Sequence, residues 1–184
     1  MSKKTTYHYI KGPVMFAKVF EHNRDVGEYA PEGGQYTIDI GVDEETTALI
    51  KSWNSNYKPK TYKEPYDENV DPDLNYFQFK RKHELYNKKG ELIEDWCGAP
   101  VVVDKDGEPF DDLIWNGSIC TIKLAVTEGS IPGAKGKRRK ITFVRLEGVR
   151  VDVLMDPPEE ENEEEEEVTP KKKGRKSKKE DIPF

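Results

Sequence analysis

Cations and aromatic residues alternate along residues 57–66, which read Tyr-Lys-Pro-Lys-Thr-Tyr-Lys-Glu-Pro-Tyr. Rings of this kind can stack on bases while ammonium groups meet phosphates, and the two prolines keep the backbone extended. This pattern favours contact with a single-stranded nucleic acid. A second interpretation stays open at this point: a surface loop whose tyrosines cover a hydrophobic edge while its lysines are merely solvated.

Four consecutive cations, residues 137–140, lie between two segments with the alternation of β-strands. The predicted strands are 118–127 and 140–154, joined by a loop over 128–139. In the second strand the apolar residues change parity after Leu146, so we predict a β-bulge at Glu147-Gly148 that returns both apolar sets to the core. The outer face of this hairpin then presents Lys123, Phe143 and Arg145.

Further elements are predicted from alternation, capping residues and turns. Strands are expected over 14–20, 35–42, 75–83 and 100–104, with a short return strand at 92–93. Asp43 is a good N-cap for a helix over 44–54, on which Leu49 and Trp53 form an apolar stripe. In the strand 75–83, Phe77 and Phe79 should face the core while Tyr76, Lys80 and Lys82 face a ligand. Trp96 and Trp115 are expected to be buried, and a role of either ring as a stacking platform is the alternative.

Several short strands with one helix and a long final hairpin predict a mainly β chain, specifically an OB-fold, the five-stranded Greek-key barrel. The predicted organisation is a flexible basic and aromatic arm over 1–13, which holds Tyr7 and Tyr9 and ends at Gly12-Pro13, the barrel domain over 14–155 and a disordered charged tail over 156–184. The candidate nucleic-acid contact residues are Tyr57, Lys58, Lys60, Tyr62, Lys63, Tyr66, Tyr76, Lys80, Lys82, Lys123, Lys137, Arg138, Arg139, Lys140, Phe143 and Arg145.

The charge balance has to be taken by segment. The formal net charge is −6, but residues 156–184 hold 11 of the 36 acidic and 7 of the 30 basic side chains. The rest of the chain is nearly neutral, with 25 acidic and 23 basic side chains. Residues 159–167 are almost all glutamate and cannot bury apolar surface, so they are expected to be disordered. The basic run 171–179 follows, and then the apolar tip Asp181-Ile182-Pro183-Phe184, which suits docking of Phe184 and its carboxylate into a partner's pocket.

Enzyme function is not expected. His8, His22 and His83 lie far apart in the sequence, the acidic residues lack the spacing of metal ligands, and no nucleophile motif occurs. The two cysteines, Cys97 and Cys120, are read as reduced thiols. We therefore expect no metal and no cofactor. The N-terminus has no apolar signal region and no apolar run is long enough to span a membrane, so a soluble cytoplasmic protein is expected.

The C-terminal tip 181–184 resembles that of bacterial single-stranded DNA-binding proteins. The body resembles the single-stranded DNA-binding proteins of tailed bacteriophages, in particular the podovirus type, through residues 58–66, the Phe77-Gln78-Phe79-Lys80 stretch, residues 101–107, Gly117-Ser118 and the final Val-rich strand. The resemblance spans about residues 35–184 as a shared order of short patterns. This chain departs from the family by the basic run 171–179 between the acidic run and the tip.

The resemblance implies an OB-fold that binds and protects single-stranded DNA without sequence preference during replication, recombination and repair. It also implies recruitment of replication proteins, such as DNA polymerase and helicase-primase, through Asp181, Ile182, Pro183 and Phe184. The location would be the cytoplasm of the bacterial host if a phage encodes the chain, and a homodimer is left open. The alternative function is an acidic-tailed protein-interaction or chaperone module without DNA affinity.

Overall fold

The computed structural model describes residues 3–62 and 68–157, which form a mainly β domain with one α-helix. Three single turns of 3-10 helix lie at 21–23, 94–96 and 134–136. Within the described ranges, no helix is long and apolar enough to cross a membrane. The principal elements are β1 (Thr5–Lys18), β2 (Gln35–Val42), α1 (Glu44–Trp53), β3 (Asn75–Lys82), β4 (Val101–Asp104), β5 (Ile119–Pro132) and β6 (Arg138–Val153).

Strand β1 lies in the middle of a six-stranded sheet with the order β3-β2-β1-β5-β6-β4. Its first half pairs with β5 in antiparallel register from Thr5 to Pro13, and its second half pairs with β2 from Val14 onward. Gly12 lies just before this change of partner, and a Cβ atom there would lie 2.1 Å from the carbonyl oxygen of Gly41. Only glycine permits the two strands to approach this closely.

The core fills the space between the two halves of the sheet. It includes Ile38 and Ile40 of β2 and Phe77 and Phe79 of β3, and on the other half Ile122, Leu124, Leu146 and Val149. Strands β3 and β6 are joined through Arg81, whose guanidinium donates to the carbonyl oxygens of Cys97 at 2.7 Å and Leu146 at 3.4 Å. Curved strands around one core, joined in this way, make a partly open barrel.

The predicted class, a mainly β OB-type barrel with one short helix, is confirmed, with a difference in strand number. The sheet has six strands instead of five because the four-residue β4 adds to β6 in parallel register, from Val101 opposite Gly148 to Asp104 opposite Val151. Val102 of this strand is 9% exposed and extends the core.

The expected arm over 1–13 is wrong for its described part from Thr5 onward, because Thr5 to Pro13 form the first half of β1. Ile10 faces inward opposite Ile122 and is 4% exposed. The pair Gly12-Pro13 had suggested a break between arm and barrel. It instead marks the point at which the strand exchanges β5 for β2.

The helix begins after Asp43, whose side chain accepts a hydrogen bond from the Thr46 N–H at 2.8 Å, so the predicted N-cap is confirmed. The predicted apolar stripe is wrong in one position. Leu49 is 39% exposed, whereas Thr47 and Ile50 are buried, because α1 turns these two residues toward the sheet. Trp53 at its end packs on His8 of β1, with ring centroids 4.9 Å apart.

The β5–β6 hairpin is longer than predicted, since its strands continue to Pro132 and resume at Arg138. The expected loop over 128–139 is therefore reduced to 133–137. The predicted bulge is confirmed: Lys123 lies opposite Gly148 and Leu124 opposite Leu146, which leaves Glu147 as the extra residue. Val144, Leu146, Val149 and Val151 consequently share the inner side.

Candidate nucleic-acid interface

Two outward faces of the sheet carry aromatic and cationic side chains, and the residues singled out from the sequence divide between them. The β1–β2–β3 face carries Phe16, Lys18, Tyr62, Lys80 and Lys82. The β1–β5–β6 face carries Tyr7, Tyr9, Lys11, Lys123, Arg139, Phe143 and Arg145, according to the register of the three strands.

Phe16 is the most unusual residue of the β1–β2–β3 face. Its φ is 50°, in the left-handed region that a bulky residue rarely enters, and the register between β1 and β2 is irregular at this point. Its N–H donates to Oδ1 of Asn116 at 2.8 Å, and its side chain is 50% exposed. A strained backbone that presents an apolar ring to solvent is typical of a binding surface.

Asp39, at the centre of β2, fixes the segment that follows α1. Its carboxylate is fully buried, and Oδ2 accepts hydrogen bonds from Nζ of Lys60 at 3.0 Å and from the hydroxyl of Tyr62 at 2.9 Å. The Lys60 N–H also donates to the Tyr76 carbonyl at 2.7 Å. Burial, together with the Asp39 charge, raises the pKa of Tyr62 well above its ordinary value, so this hydroxyl remains a donor. Oδ1 of Asp39 has no hydrogen-bond partner within the described residues.

The anchored Tyr62 completes a row of three rings. Its centroid lies 5.9 Å from that of Phe16 and 5.5 Å from that of Tyr76, the latter pair edge to face. Phe16 and the half-buried Tyr62 are open to solvent. These two rings are therefore the ones on which a base could stack.

Two tyrosines predicted to contact DNA, Tyr57 and Tyr76, are part of the packing instead of lying open to solvent. Tyr76 is 3% exposed because residues 57–62 fold back over the outer side of β2 and β3, and its hydroxyl accepts from the Asp71 N–H at 3.0 Å. Tyr57 packs on the core with its ring 6.4 Å from that of Phe79, and burial raises its pKa. The loop interpretation, in which tyrosines cover a hydrophobic edge, is correct for these two residues.

Cations lie on the same face as the Phe16–Tyr62 pair, toward the Gln35 end of β2. Lys18 and Lys80 both lie opposite Thr37, one on each neighbouring strand, and Lys82 lies one pair further along β3. The side chains of Lys58, Lys80 and Lys82 are exposed, as predicted. Lys60 differs, because its ammonium group neutralises Asp39 and its main effect is to position the segment.

On the β1–β5–β6 face, the predicted residues Lys123, Phe143 and Arg145 are joined by two tyrosines from the segment predicted to be an arm. Tyr7 is 55% and Tyr9 67% exposed, and the ammonium of Lys123 lies 4.7 Å from the Tyr7 centroid. The alternation Tyr7-His8-Tyr9-Ile10 was the available signal for a strand with an aromatic outer side.

Strand geometry separates the cations of the hairpin. Arg139 shares the side of Phe143, whereas Arg138 and Lys140 point to the opposite side, because successive residues of β6 alternate. Arg138 and Lys140 line a groove of about 660 Å³ together with Lys3, Lys4 and Glu128. Lys137 lies before the strand, where its carbonyl accepts from the Gly133 N–H. The four cations therefore do not form one continuous bank.

Trp96 is half-buried and lies between two cations, which differs from the expected buried position. Nζ of Lys3 is 4.8 Å and Cζ of Arg145 is 4.9 Å from its ring centroid. Arg145 also pairs with the bulge residue Glu147, which in turn accepts from Arg81 at 3.3 Å. The bulge thus links the barrel seam at Arg81 to the exposed face.

Several predicted positions lie outside the described residues: Lys63, Tyr66 and the tip Asp181, Ile182, Pro183 and Phe184. Both cysteines are buried free thiols, and burial raises the pKa of Cys120 to about 12. In the described part of the chain, no group of three or more His, Cys, Asp or Glu side chains is arranged to hold a metal ion.

Comparison with solved structures finds single-stranded DNA-binding proteins of bacteriophages. The protein gp2.5 of bacteriophage T7 is 19% identical and aligns over 92% of this chain and 97% of its own length, with a TM-score of 0.48. The single-stranded DNA-binding protein of bacteriophage Enc34, solved in complex with single-stranded DNA, is 14% identical. It aligns over 82% of this chain and 89% of its own length, with a TM-score of 0.41. The sequence resemblance named the same kind of protein.

No protein-family model matches the chain, and no curated protein matches it either.

Proposed function

We propose that this protein binds single-stranded DNA without sequence preference on its β1–β2–β3 face. The observation that carries the proposal is the exposed ring of Phe16, on a strained backbone, beside the anchored ring of Tyr62, with Lys18, Lys80 and Lys82 on the same face. Two bases would stack on the rings while the backbone phosphates meet the lysines.

Single-stranded DNA fits this surface better than a duplex does. The faces of paired bases are covered by their neighbours in a duplex, so exposed rings gain nothing from them, whereas a single strand can turn its bases onto aromatic side chains. Stacking is indifferent to the identity of the base, since every base has a π-face. The surface therefore predicts affinity that depends little on sequence and weakens as salt displaces the lysine–phosphate contacts.

The wider role that we propose follows from the resemblance and from the tail sequence. The protein would protect single strands during DNA replication, recombination and repair in the cytoplasm of a bacterial host. Its tip, residues 181–184, would dock Phe184 into replication proteins such as a polymerase or a helicase-primase. The acidic run 159–167 would compete with DNA for the lysines, since a tethered polyanion has a high effective concentration there.

The proposal is tested by measuring the affinity of the full-length chain and of Phe16→Ala for a fluorescent oligonucleotide of thymidines. A stacked base contributes about 1–3 kcal/mol, so Phe16→Ala should bind about 5- to 150-fold more weakly. The matched control is Tyr29→Ala, which removes a ring that is 94% exposed on the loop between β1 and β2. Equal affinities of all three proteins would refute the site, and absence of binding by the unmodified chain at low salt would refute the function.

A further inference from the structure

We infer that the β1–β5–β6 face is a second contact surface for single-stranded DNA, separate from the Phe16–Tyr62 site. This inference rests on the proposed function, because it concerns the path of the same ligand. It adds that a strand longer than the first site continues onto the other half of the sheet.

The register of three strands brings aromatic rings onto this face. Tyr7 and Tyr9 project from β1, and Phe143 of β6 lies opposite Thr127 of β5. The three rings are 55%, 67% and 40% exposed, respectively. Large exposed rings that share one face of a sheet are uncommon on a surface that contacts only water, and they mark a place where a ligand binds.

Cations are interleaved with these rings. Lys123 of β5 lies opposite Tyr9 of β1, and its ammonium group lies over the ring of Tyr7. Lys11 follows Tyr9 on the same side of β1, opposite Thr121. Arg145 lies opposite Ala125, as Tyr7 does, and is held between Trp96 and Glu147. Arg150 continues the row, where it pairs with Asp152 at 2.7 Å. Lys11, Lys123 and Arg139 carry charge that no acid in the ion pairs of the described residues neutralises.

Charge decides between the possible occupants of this face. A second copy of the chain, docked through the same patch by two-fold symmetry, would bring the patch with Lys11, Lys123 and Arg139 against an identical, like-charged patch, which is unfavourable. A single strand supplies phosphates for these cations and bases for the rings between them. The composition of the face therefore selects single-stranded nucleic acid.

The two faces are connected through β1, which forms part of both. Residues before Gly12 contribute to the β1–β5–β6 face, and Phe16 and Lys18 contribute to the β1–β2–β3 face. A strand that leaves the Phe16–Tyr62 pair can follow β1 onto Tyr9 and Tyr7. One OB domain occupies about 4–16 nucleotides, and the second face should place this protein in the upper part of that range.

The test compares short and long strands in the full-length protein carrying Tyr7→Ala and Tyr9→Ala together. Thymidine oligomers of about 6 and about 30 nucleotides are used, and the number of nucleotides covered per protein is measured on a long thymidine polymer. The matched control combines Tyr29→Ala and Tyr86→Ala, two tyrosines that are 94% and 54% exposed outside both faces.

We expect the Tyr7/Tyr9 variant to bind the short oligomer as the unmodified chain does, to bind the long one at least about fivefold more weakly, and to cover fewer nucleotides. Unchanged binding of the long oligomer and unchanged coverage would overturn the inference. The inference is also overturned if the Tyr7/Tyr9 variant loses affinity for the short and the long oligomer equally. The same holds if sedimentation shows that the variant changes from dimer to monomer while its DNA binding is unchanged. Lys123→Glu should reproduce the selective loss without removing a ring.

A failure of the proposed function gives a different result. The unmodified protein would then bind neither oligomer. If only the second surface is wrong, the unmodified chain and Phe16→Ala differ from each other while the Tyr7/Tyr9 variant behaves as the unmodified chain does.

Discussion

The bond between Tyr62 and the buried Asp39 allows a quantitative prediction. In Tyr62→Phe the ring stays but the hydroxyl is lost. Among the described residues, Oδ2 of Asp39 then keeps only the Lys60 ammonium at 3.0 Å, and Oδ1 has no partner. A hydrogen bond to a charged group contributes about 1.5–3 kcal/mol. Since Asp39 is fully buried and water cannot replace the donor, we expect a loss of about 2 kcal/mol in the free energy of unfolding.

Urea denaturation followed by circular dichroism measures this loss. A change of about 2 kcal/mol lowers the midpoint by about 1 M urea and the melting temperature by about 4–8 °C for a chain of this size. Tyr29→Phe is the matched control, because the same atom is removed from a side chain that is 94% exposed. It should lie within about 0.5 kcal/mol of the unmodified protein.

A double-mutant cycle isolates the bond itself. In an Asp39→Asn background the acceptor is neutral, so the further change Tyr62→Phe should cost about 1 kcal/mol or less. If Tyr62→Phe costs no more than Tyr29→Phe, or costs the same in both backgrounds, Asp39 does not hold the segment in the way described.

Three further predictions concern Phe16, alkaline pH and the tail. Phe16→Gly should be about 1 kcal/mol more stable in urea denaturation than Phe16→Ala, because glycine adopts a positive φ without cost. Both variants should lose DNA affinity equally. Equal stability of the two variants would show that the backbone is not strained. Burial raises the pKa values of Tyr57, Tyr62 and Tyr76, so above the ordinary tyrosine pKa of about 10 the unfolded chain loses protons that the folded chain retains. The free energy of unfolding in urea should therefore be constant up to about pH 8, fall as the Cys120 thiol ionises in the unfolded chain but not in the folded one, and fall more steeply above about pH 10. A flat profile would contradict these burials. Deletion of residues 156–184 should tighten DNA binding in a fluorescence titration, as should replacement of the eight glutamates in 159–167 by glutamine; unchanged affinity in both would remove the competition proposal.

Much of the fold could be predicted because local patterns and tertiary packing agree. The bounds of β2 follow from the alternation of Tyr36, Ile38 and Ile40, and all three residues are buried. The bulge at Glu147 follows from the change of parity between Leu146 and Val149, since both must reach the same core. The cap at Asp43 depends only on its neighbours in sequence.

The candidate site could be predicted only in part, because its essential contacts join distant segments. Asp39 lies at an outward position of β2, where the sequence pattern predicts a solvated residue. It is buried because residues 57–62 return over the sheet and cover it. The same return covers Tyr76. The positive φ of Phe16 has no local signal, because glycine and asparagine are the residues that usually adopt it. Tyr7 and Tyr9 are absent from the predicted site because Gly12-Pro13 is typical of a chain break, whereas the pair lies inside β1.

The central claim is that a single strand lies on the ring pair Phe16–Tyr62. Photocrosslinking tests it most directly: a short thymidine oligomer that carries one photoreactive halogenated uracil is irradiated with the full-length protein, and the modified residue is identified by mass spectrometry. The structure predicts adducts on Phe16 or Tyr62 that an excess of unlabelled oligomer suppresses. Suppressible adducts that avoid both residues, or the absence of any suppressible adduct, would contradict it.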